Sequence, residues 1–280
     1  VSLTYHKRTS SMVCHYCGYQ RGPVTVCPSC KSVDVSYSGF GTEMVEQEIA
    51  SLYPDARIER LDTDSAQQKG HLASVIDDFR EGKIDILLGT QMVAKGLNFP
   101  LVDLVGIINA DSGLNIPDFR SQERTFSLLV QVSGRAGRYS DDGRVIIQTH
   151  HPENPAIAYA LDGDTDGFYE SELAVRRETR FPPYSRLANL VIRGRNREAV
   201  EEATGALEKH LAASAKRVGV DVLVASECPL EKIASNWRYH ILLSSESGAS
   251  VHRLLHHVLS HYQLPSSLYL EIDLDPLQLL

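Results

Sequence analysis

The 280 residues are 42% hydrophobic and 23% charged, too long for a peptide module and suited to one large domain or two to three small ones with ordinary cores. No stretch approaches the roughly 18 apolar residues that span a bilayer, and no charged-then-apolar signal opens the chain, so membrane and secreted classes are set aside. The net charge of −8, from 36 acidic and 28 basic residues, argues against broad electrostatic attraction to nucleic acid but leaves room for a local positive track.

The charge is uneven. Residues 1–40 carry four basic residues and one acid, residues 41–180 carry 14 and 24, and residues 181–280 carry 10 and 11. The basic head holds Cys14, Cys17, Cys27 and Cys30 in the spacing C-x2-C-x9-C-x2-C. Both thiolates of a C-x2-C knuckle reach one Zn²⁺, and two knuckles complete a tetrahedron. Disulfides or redox thiols are the alternative, disfavoured in a chain without a secretory signal. Four thiolates leave no open coordination position, so such a zinc is structural. Cys228 stands alone after a strand-like run and reads as a small buried hydrophobe. The chain begins with Val1 and in mid-pattern, so an upstream portion is expected.

The acidic body alternates helix and strand. Residues 42–53 carry Met44, Val45, Ile49 and Leu52 at helical spacing, and residues 57–61 form a short strand. Residues 69–80 form a helix with Leu72, Val75, Ile76 and Phe79 on one face. The near-continuous apolar runs at 84–88, 104–109 and 144–148 predict strands buried on both faces, and residues 120–132 predict a helix. This alternation predicts a parallel sheet covered by helices, with ligands at the carboxyl ends of its strands. Asp62 and Asp64 sit at one strand end, where they position neighbours or cap the next helix.

Two segments at such ends carry chemistry. In GTQMVAKG (89–96), Thr90, Gln91 and Lys95 between two glycines suit a phosphate-contacting loop or, equally, an ordinary turn into a helix. In QVSGRAGR (131–138), Gln131 and Gly134 precede Arg135 and Arg138, which lie three apart and so share a helical face. Paired guanidiniums flanked by glycine suit a polyphosphate better than they suit a simple helix cap.

Phe181-Pro182-Pro183-Tyr184 breaks the pattern and marks a boundary. Strands at 187–193, 220–225, 239–244 and 268–274 and helices at 198–216 and 250–262 follow in the order β-α-β-β-α-β, a ferredoxin-like arrangement. Lys232, Trp237 and Arg238 fall in a loop before a strand, where they either hold nucleic acid or anchor the loop onto the core through the tryptophan. His252, His256, His257 and His261 share one helix without a carboxylate or cysteine beside them and read as a solvated face.

Taken together, these segments resemble a known family. QVSGRAGR resembles motif VI of superfamily 2 helicases, GTQMVAKG resembles motif V, and GFGTEMVEQEI (39–49) resembles the motif IV region. The cysteine knuckles, RLDTD, NADSGLNIPDFRSQER and FPPYSR, in this order, make the whole chain closely similar to the primosomal protein N-prime (PriA) family of bacterial replication-restart helicases. The resemblance implies an α/β fold in three parts. Residues 1–38 would be part of a zinc-ribbon-like insertion, residues 39–180 the second RecA-like helicase lobe, and residues 181–280 a ferredoxin-like domain for DNA and partners.

It further implies a 3′→5′ ATP-dependent DNA helicase that binds single-stranded and forked DNA at stalled forks and rebuilds the primosome. Single-strand-binding protein and other primosome proteins would be its partners, in the cytoplasm at the nucleoid. Arg138 matches the arginine finger, and Gln131, Gly134 and Arg135 match further nucleotide contacts. Thr90, Gln91 and Lys95 match contacts to the DNA backbone. In the family, four C-x-x-C pairs interleave into two zinc sites, so Cys14/Cys17 and Cys27/Cys30 would bind different ions, against the single site read from spacing. No G-x-x-x-x-G-K-[ST] occurs in the sequence, so ATP and Mg²⁺ would need a first lobe lying upstream. The alternatives are a non-catalytic DNA-binding scaffold that keeps a helicase-like lobe, which has no use for the Arg135/Arg138 pair, and a zinc-ribbon adaptor, which does not account for the body. The chain by itself is expected to turn over no ATP. A magnesium-dependent phosphate-release assay checks this, with Arg135→Ala and Arg138→Ala as controls, and turnover that depends on those arginines would overturn it.

Overall fold

Strand direction separates the parts of the molecule. In the computed structural model, residues 4–6, 11–13, 19–33, 42–61, 71–90, 99, 102–134 and 143–279 are described. The chain divides into two compact units, one of Ser36–Leu114 with Glu123–Phe168, the other of Val1–Val35, Asn115–Gln122 and Tyr169–Leu280.

The head contributes three short antiparallel strands, β1 (Thr4–His6), β2 (Ser11–Val13) and β3 (Gln20–Arg21), paired in that order. In the lobe unit, helix α1 (Thr42–Leu52) leads to β4 (Ile58–Leu61), and α2 (His71–Arg80) leads to β5 (Ile86–Gly89). Strand β4 pairs with β5, and β6 (Leu104–Ile107) pairs with β7 (Arg144–Ile147). Both pairs are parallel, as the alternating pattern predicts. Among the described residues they stand as two separate two-stranded sheets.

The expected burial on both faces does not hold. Leu104 is 59% and Ile146 60% exposed, while Ile107 and Ile147 pack inward. Their core is formed by α3 (Asp111–Leu114), α4 (Ser121–Ser133), α5 (Pro155–Asp162) and the start of α6 (Thr165–Thr179), through Leu114, Phe126, Leu129, Ile157 and Phe168. Phe126 stacks on Phe168 with ring centroids 4.0 Å apart. These helices pack against one face, so successive strand residues alternate between core and surface. An apolar run alone does not reveal that only one face is packed. Helix α5 has the expected punctuation: the Asn154 side chain accepts the Ala156 N–H, Pro155 opens the first turn, and Gly163 at φ 68° ends it. The collar between α3 and α4 is tight, since a Cβ at Gly113 would meet Thr125 Oγ1 at 2.6 Å.

The carboxyl ends of β6 and β7 are tied together. Ala110 N–H donates to Gln148 O at 3.0 Å, and Gln148 N–H donates to Ile107 O at 2.8 Å. Asn109, at φ 53°, turns the chain so that Asp111 points across. The Asp111 carboxylate accepts the Thr149 hydroxyl and the His150 N–H, each at 2.9 Å.

In the second unit, β8 (Arg186–Gly194), β9 (Asp221–Ile233), β10 (Asn236–Ser245) and β11 (Tyr269–Leu274) form an antiparallel sheet in the order β11-β8-β10-β9. Helices α7 (Arg197–Ala215) and α8 (Gly248–Leu259) supply the crossings. On one face of this sheet, Leu190, Ile192, Ile241 and Leu243 pack on Val200, Leu207, Leu211, Leu254 and Val258. On the opposite face, Leu187, Val224 and Leu242 pack with Leu279, Phe119 and Phe181. Ala234 and Ser235, at φ 47° and 65°, form the two-residue turn between β9 and β10. Lys232, Trp237 and Arg238 therefore lie in paired strands and not in the loop the sequence suggested. Pro229 and an irregularity in the pairing between Trp237 and Tyr239 disguised the hairpin, because they interrupt the period-two pattern.

The Asp111 tie can be tested by titration. Asp111 is 5% exposed. Burial pushes its carboxyl up, but the His150 N–H, the Thr149 hydroxyl and the charges of His151 and His150 together outweigh burial and leave it below the ordinary value. A carboxyl depressed by folding contributes its full stability above its unfolded pKa and loses it as pH falls through the folded one. Asp111→Asn is expected to destabilise the lobe at neutral pH by about 1.5–3 kcal/mol, the scale of a hydrogen bond to a charged group. The variant should also show a weaker loss of stability below the ordinary carboxylate range. Chemical denaturation as a function of pH checks both, and coincident profiles for parent and variant would refute the tie.

Candidate nucleotide and nucleic-acid interface

Strand β5 ends at Gly89, and Thr90 follows it, exposed at the carboxyl end of a parallel pair. Gln91, Lys95, Arg135, Arg138, Asp62 and Asp64 lie outside the described residues. Gln131 and Gly134 close α4, with Gln131 half-buried and Gly134 exposed. Gly134 N–H donates to Val130 O at 3.1 Å and so extends the helical bonding by one residue. A Cβ on Gly134 would sit 3.5 Å from Val130 O, an ordinary contact. Packing within the helix end therefore does not demand a glycine there, and the lack of a side chain leaves room for close approach by another group.

In the head, Cys27 and Cys30 flank a tight turn. Cys27 O accepts the Lys31 N–H at 2.9 Å, Cys27 N–H donates to Ser32 O at 2.8 Å, and Lys31 Nζ donates to Pro28 O at 2.8 Å. The N–H groups of Cys30 and Ser29 and the Cys30 thiol converge on the Cys27 sulfur and hold its thiol below its ordinary value, against a smaller opposing effect of burial. Two neighbouring thiols, one already biased toward thiolate by backbone donors, are what half of a thiolate zinc site requires. Cys14 and Cys17 lie outside the described residues. Cys228 is the opposite case, since burial pushes its thiol up to about 12 and leaves it a packing residue.

At the β9–β10 hairpin the cations gather on the tryptophan. Lys232 Nζ lies 4.7 Å and Arg197 Cζ 5.1 Å from the Trp237 ring centroid, and the ring packs against the edge of the helix-covered core. Arg197 is buried and paired with Glu227, and its Nε donates to the Tyr239 hydroxyl at 3.3 Å. That hydroxyl donates to Glu227 Oε1 at 2.8 Å, and burial first of all pushes it above its ordinary value. The ring thus serves as an anchor between two cations and the core. Arg238 reaches back to Leu230 O at 3.4 Å. His252, His256, His257 and His261 are exposed on and just beyond α8, and among the described residues no group of three or more His, Cys, Asp or Glu could hold a metal ion.

One cluster had no role assigned from sequence. Asp118 is 2% exposed, and its carboxylate accepts the Arg120 N–H and the Leu279 N–H, each at 2.8 Å. Phe119 stacks on Phe181 at 5.5 Å, with Arg176 Cζ 5.4 Å from the Phe119 ring centroid. Arg176 pairs with Glu172 at 2.9 Å and donates to Pro182 O at 3.3 Å. The available signal was an Asp-Phe-Arg string just before a helix, where an acid reads as a cap. Its partner Leu279, 161 residues away, leaves no local trace.

Three family models match the chain in succession: the PriA DNA helicase cysteine-rich region over residues 1–21, the helicase conserved C-terminal domain over 24–140, and the primosomal protein N C-terminal domain over 177–277. Among curated proteins, the replication restart protein PriA of Treponema pallidum is 46% identical over 280 residues, covering 100% of this chain and 42% of the relative. The PriA protein of Bacillus subtilis is 40% identical, covering 99% of this chain and 34% of the relative, and that of Borreliella burgdorferi is 36% identical, covering 99% and 42%. The chain thus spans roughly two-fifths or less of the length of these relatives. Among the described residues, no helix is long and apolar enough to cross a membrane. With the cysteine-rich, helicase and C-terminal models matching in that order, and PriA proteins aligning along its whole length, the chain belongs to the PriA family of replication restart proteins.

Proposed function

We propose that this chain supplies the second motor lobe, part of the zinc module and the C-terminal DNA-handling domain of an ATP-dependent 3′→5′ DNA helicase that recognises stalled or branched forks and starts primosome assembly. The observation that carries the reading is the QVSGRAGR string, whose first three residues close α4, inside the stretch that matches the helicase conserved C-terminal domain and in a chain that aligns with PriA proteins along its whole length.

The three parts are residues 1–38, 39–180 and 181–280. The parallel pairs are read as a RecA-like lobe. The β-α-β-β-α-β sheet, with its strands in the order fourth-first-third-second, is read as ferredoxin-like. Arg138 supplies positive charge to the γ-phosphate as it transfers, Arg135 is the second phosphate contact, and Gln131 and Gly134 border the nucleotide. Magnesium bound with ATP neutralises phosphate charge, and its ligands come from another lobe. Thr90, Gln91 and Lys95 hold the DNA backbone without reading sequence. Lys232 and Arg238 add phosphate contacts in the tail, where Trp237 fixes the hairpin that presents them. Cys27 and Cys30 are one arm of a structural zinc site and Cys14 and Cys17 one arm of a second. Single-strand-binding protein and other primosome proteins are the expected partners, at the nucleoid.

Arg138→Ala in the intact protein tests the reading. ATP turnover on forked DNA is expected to fall by about 10³-fold or more, the scale of an arginine finger, while fork binding without nucleotide stays near the parent value. Full turnover in the variant would sink the assignment. Fork binding as weak as binding to unrelated duplex would favour a scaffold without fork recognition.

A further inference from the structure

The sheet face that α7 and α8 leave uncovered has two unlike ends. At one, Leu187, Val224 and Leu242 pack with Leu279, Phe119 and Phe181. At the other, about 20 Å along β8 from Leu187, Arg193 lies on the same face, because side chains alternate along a strand. Strand pairing sets Tyr269 of β11 directly opposite Arg193 on one side and Arg238 of β10 directly opposite it on the other. Directly paired residues share a face, so Tyr269, Arg193 and Arg238 form a row across adjacent strands, about 10 Å from end to end. Like charges set directly opposite each other cost stability, yet here two guanidiniums are neighbours. The Glu271 carboxylate pairs with Arg193, while Arg238 donates to Leu230 O at 3.4 Å. A carbonyl accepts a hydrogen bond but does not neutralise a guanidinium. Tyr269 is a large ring at a sheet edge, and it is 58% exposed. Arg193 Cζ lies 4.9 Å from its centroid. With one face of the ring under the guanidinium and the residue still mostly exposed, the other face is turned to water. Trp237 is the contrasting ring, half-buried between two cations and the core. Exposed Lys232, opposite Trp237, and exposed Arg195, just after β8, add positive charge to this end of the sheet.

We propose that this row is a subsite selective for single-stranded DNA: one unpaired base stacks on the open face of Tyr269, and the phosphate backbone beside it runs onto Arg193 and Arg238. The proposal rests on the reading of residues 181–280 as a DNA-handling domain and deepens it, because cations alone attract the phosphates of single strands and duplexes alike. A stacking ring separates the two. In a duplex each base is already stacked on its neighbours and its π-face is out of reach. In a single strand that face is exposed, and any of the four bases can use it. Arg193 backs the ring on its inner side and so fixes the platform. An incoming phosphate supplies the negative charge that the neighbouring guanidiniums lack, and the planar fork of arginine suits it. Tyr269, Arg193 and Arg238 all belong to the compact unit of the C-terminal sheet, so the subsite requires no particular placement of the helicase lobe.

The test uses the intact protein and fluorescent probes: oligothymidine, the same oligonucleotide with abasic sites along its length, and a blunt duplex. Kd is measured for the parent, Tyr269→Ala, Tyr269→Leu and Tyr269→Phe. Tyr269→Leu keeps an apolar side chain at the sheet edge, in case Tyr269→Ala lowers the midpoint of denaturation. Loss of one stacked base is expected to weaken oligothymidine binding about 5- to 150-fold in both of these variants. Tyr269→Phe keeps the ring and should bind within about twofold of the parent. Binding to the abasic probe and to the duplex should stay within about twofold of the parent throughout, because neither offers a base to the ring. Arg238→Gln should lower the slope of log Kd against log salt for oligothymidine by about 0.7, one phosphate contact on a single strand, while Tyr269→Leu leaves the slope unchanged. Oligothymidine binding by Tyr269→Leu within about twofold of the parent overturns the platform, as does an equal loss on the abasic probe. An unchanged salt slope in Arg238→Gln overturns the phosphate half of the row. A parent that binds none of the probes instead overturns the functional reading beneath it.

Discussion

A polar group shut away from water needs partners to replace the lost hydration, and the Asp118 carboxylate accepts two backbone N–H groups, one from its own turn at Arg120 and one from Leu279, 161 residues away. Remove the carboxylate and the N–H of Leu279, on a residue 2% exposed, loses this acceptor. The last residues of the chain are thereby fixed over Leu187, Val224 and Leu242. They cover a sheet face that two helices cannot reach, since both crossings of this β-α-β-β-α-β unit lie on the other side. The second face of the sheet is thus covered by Leu279, Phe119 and Phe181, with the Asp118–Leu279 hydrogen bond beside them.

The lobe uses the same device at Asp111. Its two oxygens are spent on Thr149 and His150, joining the carboxyl ends of β6 and β7, where an α/β sheet presents ligand-binding loops. The acidic excess of the body therefore has a structural component. Part of it is charge spent inward on backbone donors, and that part contributes little to the field that incoming DNA would meet.

How much of this was legible depends on whether a signal was local. The tail helices and their inward faces could be read from Val200, Leu207, Leu211, Leu254 and Val258 because a helix packed by one face carries its apolar residues at three- and four-residue spacing. The same logic failed for the lobe strands: the runs at 104–109 and 144–148 are apolar on both faces in sequence, yet Leu104 and Ile146 are exposed, and composition alone does not reveal which face has a neighbour. The hairpin of β9 and β10 was hidden by Pro229 and a pairing irregularity, which mimic a loop. Of the candidate site, the cysteine knuckles and the glycine–arginine string stand out in the sequence because each is a local spacing pattern. The partners of Asp118 and Phe119 do not, because contact across 161 residues has no local pattern.

The hairpin also bears on how an acidic protein would hold DNA. An aromatic platform for bases needs an open face, and the Trp237 ring has Lys232 and Arg197 over it and the core at its edge. Arg197 is not available to phosphate either, since Glu227 and the Tyr239 hydroxyl engage it. Lys232 remains, exposed with its ammonium over an indole, together with Arg238, whose guanidinium reaches a backbone carbonyl at 3.4 Å. A grip built from such cations is a grip on phosphates. It is indifferent to base identity, and its strength falls with salt according to the number of phosphates neutralised. The proposed role at stalled forks would need that indifference, and it is compatible with an overall charge of −8, because the Debye length of about 8 Å at physiological salt lets a few well-placed cations act independently of distant acids.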